Sequence, residues 1–250
     1  MEGTGQSPTE SPRWKRVLLK LSGEILAGDL RTGLDPETVT SVCRQILDVS
    51  RTGVQLALVV GGGNFLRGAD LTARGMDRSA ADQIGMLATV MNSLALQDRL
   101  EGMGAQTRVL SALKIEQVAE PYIRRRARRH LEKGRIIILA GGTGNPYFST
   151  DTAAVLRAVE TGCEVVLKAT KVDGVFTSDP VRDSSARLLP RLTHAAVLEQ
   201  NLRVMDLTAI TLAKENRLPI AVFNLHPAGN LARVLRGEPV GTLVEEDPTP

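Results

Sequence analysis

Six short, nearly unbroken apolar runs punctuate the chain, at Val17–Leu21, Leu56–Val60, Thr107–Leu110, Arg135–Ala140, Glu164–Leu167 and Pro219–Phe223. They do not alternate apolar with polar residues, which is the habit of parallel strands covered on both faces. Between them, apolar residues recur at helical spacing over Pro36–Ser50, Asp77–Leu100, Glu120–Glu132, Thr152–Glu160 and Leu207–Asn216. Asp35 before Pro36 is a helix start, with a capping carboxylate ahead of a proline at the first helical position. The alternation predicts an α/β fold, a mainly parallel, doubly wound sheet with helices on both faces. No repeat or internal linker interrupts it, so the pattern predicts one domain over residues 15–244, between tails 1–14 and 245–250.

A chain of 250 residues can bury such a core without covalent staples. Cys43 and Cys163 are too few for a disulfide framework and have no His or Cys neighbours, so no metal site is assigned. The first residues lack a signal-peptide core, and no apolar run approaches the ~18 residues of a membrane span, which predicts a cytoplasmic protein. The formal charge of +3 is mild. The basic run Arg124–His130 reads as a solvated helix face rather than a nucleic-acid patch, because no interleaved aromatics accompany it.

The candidate chemistry lies in three glycine-containing loops, each directly after an apolar run: KLSGE from Lys20, GGGNFLRG from Gly61 and GGTGNPYFSTD from Gly141. In an open α/β sheet these share one rim, where free backbone amides can approach phosphate oxygens. GNFLRGAD is not a P-loop, since Ala69 and Asp70 stand where Lys and Ser or Thr belong. A dinucleotide fingerprint also fails, because Leu66 and Tyr147 occupy its last glycine position.

KLSGE, VVGGGNFLRG, GMLATVMN, GTGNPYFSTD, LKATKVDGVFTSDP and VMDLTA, in this order from about Arg16 to Leu243, resemble the bacterial UMP kinases of the amino acid kinase family. The resemblance implies a three-layer αβα sandwich, a homohexamer, and transfer of the γ-phosphoryl group of Mg-ATP to UMP in pyrimidine nucleotide biosynthesis, with Mg²⁺ carried by the nucleotide. It also implies activation by GTP, tied to the segment Ala27–Asp35, and inhibition by UTP.

Carried over residue by residue, the resemblance implies an ATP site from Lys20, Leu21, Ser22, Gly23, Gly63, Arg67, Thr170, Phe176 and Asp179. It implies a UMP site from Gly62, Asp82 and the loop Thr143, Gly144, Asn145, Pro146, Tyr147, Phe148, Ser149 and Thr150. Lys20, Arg67, Asp151, Lys168 and Asp206 would form the catalytic set. The acceptor phosphate is already an anion, so no base is needed, in keeping with the absence of histidine from these motifs.

Several residues keep a second reading. Asp151 is either a helix cap or a carboxylate that orients Lys20, and Asp206 either a cap or a support of the phosphate site. Arg67 is alternatively a surface arginine and Phe176 a core aromatic. Ala81 departs from the glycine common beside the acidic residue in this family. Three rivals stay open: another amino acid kinase, a domain that senses nucleotide without turnover and, at a distance, a nicotinamide dehydrogenase, for which Asp82 has the right spacing but lies in a helix-forming segment.

Overall fold

The computed structural model describes residues 11–66, 68–73, 75–180, 182–183 and 185–246. The first half runs β1 (Arg16–Leu21), α1 (Gly23–Leu26), α2 (Pro36–Ser50), β2 (Gln55–Val60), α3 (Gly68–Ala73), α4 (Arg78–Gly102), β3 (Thr107–Ser111), β4 (Glu120–Pro121), α5 (Arg124–Glu132) and β5 (Ile136–Ala140). The second runs α6 (Thr150–Thr161), β6 (Val165–Thr170), β7 (Arg191–Leu192), α7 (His194–Glu199), α8 (Leu207–Glu215), β8 (Ile220–Asn224), α9 (Asn230–Leu235) and β9 (Thr242–Val244).

The strands form one sheet in the order β4-β3-β5-β2-β1-β6-β8-β9-β7. Every pairing is parallel except that of β8 with β9. The apolar runs make the central strands, and both faces are covered. Leu19, Leu21, Leu56, Leu58 and Val60 face one cluster with α2, α4 and α9. Leu18, Ala57, Val59 and Val166 face the other, with α5, α6 and α8. The result is the expected three-layer sandwich.

Several boundaries differ from the sequence pattern for local reasons. Glu120 and Pro121 pair with Leu110 and Ser111 as a short edge strand, so α5 begins only at Arg124. Strand β6 runs on past Leu167, because Lys168, Ala169 and Thr170 keep their pairing with Val222, Phe223 and Asn224. Trp14, assigned by pattern to the amino-terminal tail, is buried, and the neighbouring Arg13 amide donates to Leu235 O at 2.7 Å. The carboxyl-terminal side is held too, where the Glu245 amide donates to Leu192 O at 3.1 Å.

Among the described residues no helix is long and apolar enough to cross a membrane.

Candidate active site

The parallel register of β1 and β6 places Lys20 directly opposite Lys168. Register partners in a sheet share a face, and here it is the face covered by α6. Two ammonium groups side by side in a covered place demand an anion between them, and Asp151 in the first turn of α6 supplies it. Its Oδ2 accepts from Lys168 Nζ at 2.8 Å, while Oδ1 meets Lys20 Nζ at 2.8 Å. The second contact is an ion pair without an aligned hydrogen bond to Oδ1. Lys168 also donates to Val204 O. Lys20 is only 8% exposed.

The electrostatics follow from this packing. Burial works against the charge of Asp151, yet Lys20 and Lys168 outweigh it and hold the carboxyl below the usual aspartate range. Its place at the helix start acts the same way, since the positive end of the helix dipole favours an anion. Lys168 is pushed below the usual lysine range, by burial first and by Lys20 beside it, against the pull of Asp151. A pair of lysines bridged by one carboxylate leaves a net positive charge at the carboxyl ends of β1 and β6.

The glycine loops close around these strand ends. Gly23 passes so near the second loop that a Cβ on it would lie 2.5 Å from Gly61 O, and one on Gly62 would lie 2.7 Å from Gly85 O. Only glycine lets the two loops and α4 approach this closely. Behind them Asn64 and Asn92 exchange a reciprocal pair of amide hydrogen bonds at 2.9 and 2.7 Å. Asn92 donates further to Gly61 O at 2.7 Å and Asn64 to Gly33 O at 2.8 Å. These buried amides tie the loop after β2 to α4 and to the segment between α1 and α2. Leu21 closes β1, and Ser22 precedes α1 with its carbonyl accepting from the Ile25 amide. Arg67 lies outside the described residues.

The third loop runs from β5 into α6. Ser149, rather than Asp151, caps that helix, its Oγ accepting from the amides of Asp151 at 3.0 Å and Thr152 at 3.1 Å. The cap reading of Asp151 is thereby overturned: its carboxylate is committed to the lysines. Asp206 does cap α8, accepting from the Ala209 amide at 2.9 Å, and it also takes the hydroxyls of Thr152 at 2.8 Å and Ser149. One carboxylate so fastens the starts of α6 and α8 together.

At the outer end, the Tyr147 amide donates to Asp82 Oδ2 at 2.7 Å, and Arg78 Nε donates to the same oxygen at 2.9 Å. Tyr147 holds a φ of 72°, a left-handed conformation uncommon for a residue with a side chain. Among the described residues no group engages Asp82 Oδ1. Phe148 and Tyr147 are exposed. Beside them lies a mostly apolar cavity of 610 Å³, lined by Thr143, Asn145, Phe148, Leu207, Thr208 and Leu212 among others. Pro146 and Gly144 complete the loop, the Gly144 amide closing a turn on Gly141 O at 2.9 Å.

Thr170 ends β6, its hydroxyl donating to Val172 O at 2.6 Å. Phe176 is half-buried in a bridge to Leu188, and Asp179 is exposed, 3.6 Å from Arg182. Phe176 and Asp179 stand on the excursion between β6 and β7, while Thr170 is the last residue of β6, two positions beyond Lys168.

Residues 15–224 match the model of the amino acid kinase family. The chain belongs to that family. It is 55% identical over 244 residues, 97% of this chain and 71% of the relative, to the chloroplastic uridylate kinase PUMPKIN of Arabidopsis thaliana. The crystal structure of UMP kinase from Bacillus anthracis superposes with a TM-score of 0.91 at 41% identity, covering 94% of this chain and 97% of that one. UMP kinase from Ureaplasma parvum gives 0.88 at 34%, covering 94% and 100%. The relatives thus include a plant plastid protein as well as bacterial ones.

In this member of the amino acid kinase family the fold brings Lys20, Asp151, Lys168 and Asp206 together, with the glycine loops of Gly23, Gly62 and Gly63 beside them. Ala81 is wholly buried on α4. Two groups escape a motif-based reading. Asn64 and Asn92 fall inside the motifs GGGNFLRG and GMLATVMN, but neither carries a charge and nothing along the chain shows that they pair. Arg157, 6% exposed, lies under the third loop, with its guanidinium stacked 3.9 Å from the centre of the Tyr122 ring. A signal for it existed: Arg157 shares one helical stripe with Ala154, Ala158 and Thr161, where a charge needs a reason.

Among the described residues no cluster of three metal-ligating side chains exists.

Proposed function

We infer that the protein is a UMP kinase, transferring the γ-phosphoryl group of ATP to UMP to give UDP and ADP. The observation that carries this is the Lys20–Asp151–Lys168 cluster, fixed at the start of the same helix into which the acceptor loop runs. The likeness to uridylate and UMP kinases along the whole domain names the acceptor.

The proton chemistry is minimal, because a nucleoside monophosphate attacks as an anion. The work left is positioning and neutralisation. Lys20 is the group placed to face charge that grows on the transferring phosphoryl, with Leu21, Ser22, Gly23, Gly63 and Arg67 around the donor phosphates. Thr170, Phe176 and Asp179 flank the adenine and ribose in this reading. Gly62, Asp82 and Thr143 to Thr150 hold UMP, with Asp82 Oδ1 available to the sugar. Lys168 adds charge through Asp151, and Asp206 positions the helix starts. Asp151 is engaged by two lysines, and among the described residues no cluster of three metal-ligating side chains stands at the site, which fits a Mg²⁺ that arrives on the nucleotide phosphates. Bound with the nucleotide, such an ion would supply further positive charge to the donor phosphates beside Lys20.

The same reading carries the homohexamer, control by GTP and UTP, and a cytoplasmic setting. Leu87 and Met91, 49% and 50% exposed and one turn apart on α4, suit a self-association face. A coupled assay of ADP release across UMP, CMP, dUMP and amino acid acceptors, with and without GTP, tests the assignment. Turnover with UMP and none with amino acids is expected. ADP release with an amino acid and not with UMP would overturn it.

A further inference from the structure

Arg157 is a buried cation with no part in the phosphoryl chemistry, and its surroundings fix it independently of any substrate. Its Nη1 donates to Glu160 Oε2 at 2.7 Å, and the same oxygen accepts from the Tyr122 hydroxyl at 2.6 Å. Glu160 is itself held from the far side, where Arg124 Nε donates to its main-chain oxygen at 2.6 Å. The guanidinium carbon sits over the Tyr122 ring, 3.9 Å from its centre, and the Tyr122 amide is anchored to Ser111 O at 2.8 Å. A planar fork so fixed presents its remaining nitrogen in one direction. Nη2 points to the third loop, within 3.4 Å of both Gly142 O and Thr143 O.

That contact, long at 3.4 Å, favours one polarity of the loop together with its turn. A trans peptide sets its N–H opposite its carbonyl, so drawing the Gly142 carbonyl toward Arg157 turns the Thr143 amide away from it. The next amide, of Gly144, is consumed by the turn to Gly141 O. The Thr143 amide finds no acceptor among the described residues, and Thr143 lines the 610 Å³ cavity beside the loop. A half-buried amide with no protein acceptor is open to an acceptor on a ligand.

We propose that Arg157 is a positioning residue for acceptor choice, holding the Thr143 amide as a donor toward a pyrimidine that bears a carbonyl at its 4-position and against one that bears an amine. The proposal rests on the assignment of this loop to the acceptor nucleotide. Cytosine would set donor against donor there, leaving both unmet, and sites built around a substrate acceptor discriminate strongly against such analogues.

The experiment measures kcat/KM for UMP and CMP, and KM for ATP, in the wild-type protein, Arg157→Lys and Tyr122→Leu, with thermal midpoints to show folding. Lysine keeps the charge but loses the fork, and Tyr122→Leu keeps the arginine but removes its backing. In each the UMP to CMP preference is expected to fall about tenfold, the size of one lost buried hydrogen bond. The change should enter through KM for UMP, with kcat at saturation and KM for ATP within about twofold of wild type. Either folded variant decides. An unchanged ratio, or an equal loss with both acceptors, overturns the role of Arg157. A wild-type protein that phosphorylates neither nucleotide overturns the acceptor assignment instead.

Discussion

The charge cluster and the acceptor loop meet at the start of α6, yet they are built by opposite means. Lys20 and Lys168 stand on central strands, and their positions follow from the register of β1 and β6. The carboxylate between them is desolvated before any nucleotide arrives, so its orientation costs nothing at the moment of transfer. The loop from Gly141 to Ser149 has little regular structure. It is held from outside, by Arg157 below, by Asp82 at Tyr147 and by the Ser149 cap. Its aromatic tip stays in solvent. On the proposed assignment the comparison teaches a division of labour: the charge that phosphoryl transfer needs is set in the sheet, and the choice of acceptor falls to a loop that side chains can reshape.

The sharpest way to break the comparison is Lys20→Ala, for which turnover should fall by about a hundredfold or more while UMP binding changes little. Steady-state kinetics at saturating UMP check this; a turnover near wild type would remove Lys20 from the chemistry. Asp151→Asn comes next. It leaves two buried ammonium groups facing each other and should cost about 3 kcal/mol of stability in denaturant titration.

That variant also carries a pH signature. Asp151 has a lowered pKa in the folded state, so its contribution is full above the unfolded value and is lost as pH falls through the folded one. The asparagine protein should therefore lose this part of its acid sensitivity. Lys168, already depressed, loses the partner that raises it most and keeps only the weaker pull of Asp206, so the alkaline limb of the turnover profile should move to lower pH.

On the loop side, Asp82→Asn should shrink the preference for UMP over dUMP, which for the wild type is expected to be about tenfold. Specificity constants for both acceptors in both proteins decide it; an unaltered ratio means that Asp82 does not read the sugar. The smallest effect is expected for Asp179→Asn, a rise of a few-fold in KM for ATP with KM for UMP within about twofold. A change confined to UMP would mean that donor and acceptor sites are reversed.

The sheet was legible because Val, Leu and Ile runs leave few alternatives for a strand buried on both faces. The glycine loops were legible because close backbone approach excludes other residues, as at Gly23 and Gly62. The short edge strands were not, since Glu120–Pro121 and Arg191–Leu192 carry no apolar signature and exist only through their partners. The two readings of Asp151 could not be separated along the chain, because a first-turn aspartate looks alike whether it caps its own helix or reaches across to a strand. Register with Lys168 is a property of two strands far apart in sequence, and only the folded sheet displays it.

The facing of Lys20 and Lys168 also limits how this gene can vary in length. Side chains alternate along a strand, so one codon inserted or deleted between Arg16 and Lys20 would turn the lysine into the layer occupied by Leu19 and Leu21 and bring an aliphatic chain opposite Asp151. The same holds for β6 up to Lys168. Length changes should therefore accumulate before Arg16 and in the excursion after Thr170, while the two strand segments stay fixed in residue count even where their aliphatic residues exchange freely.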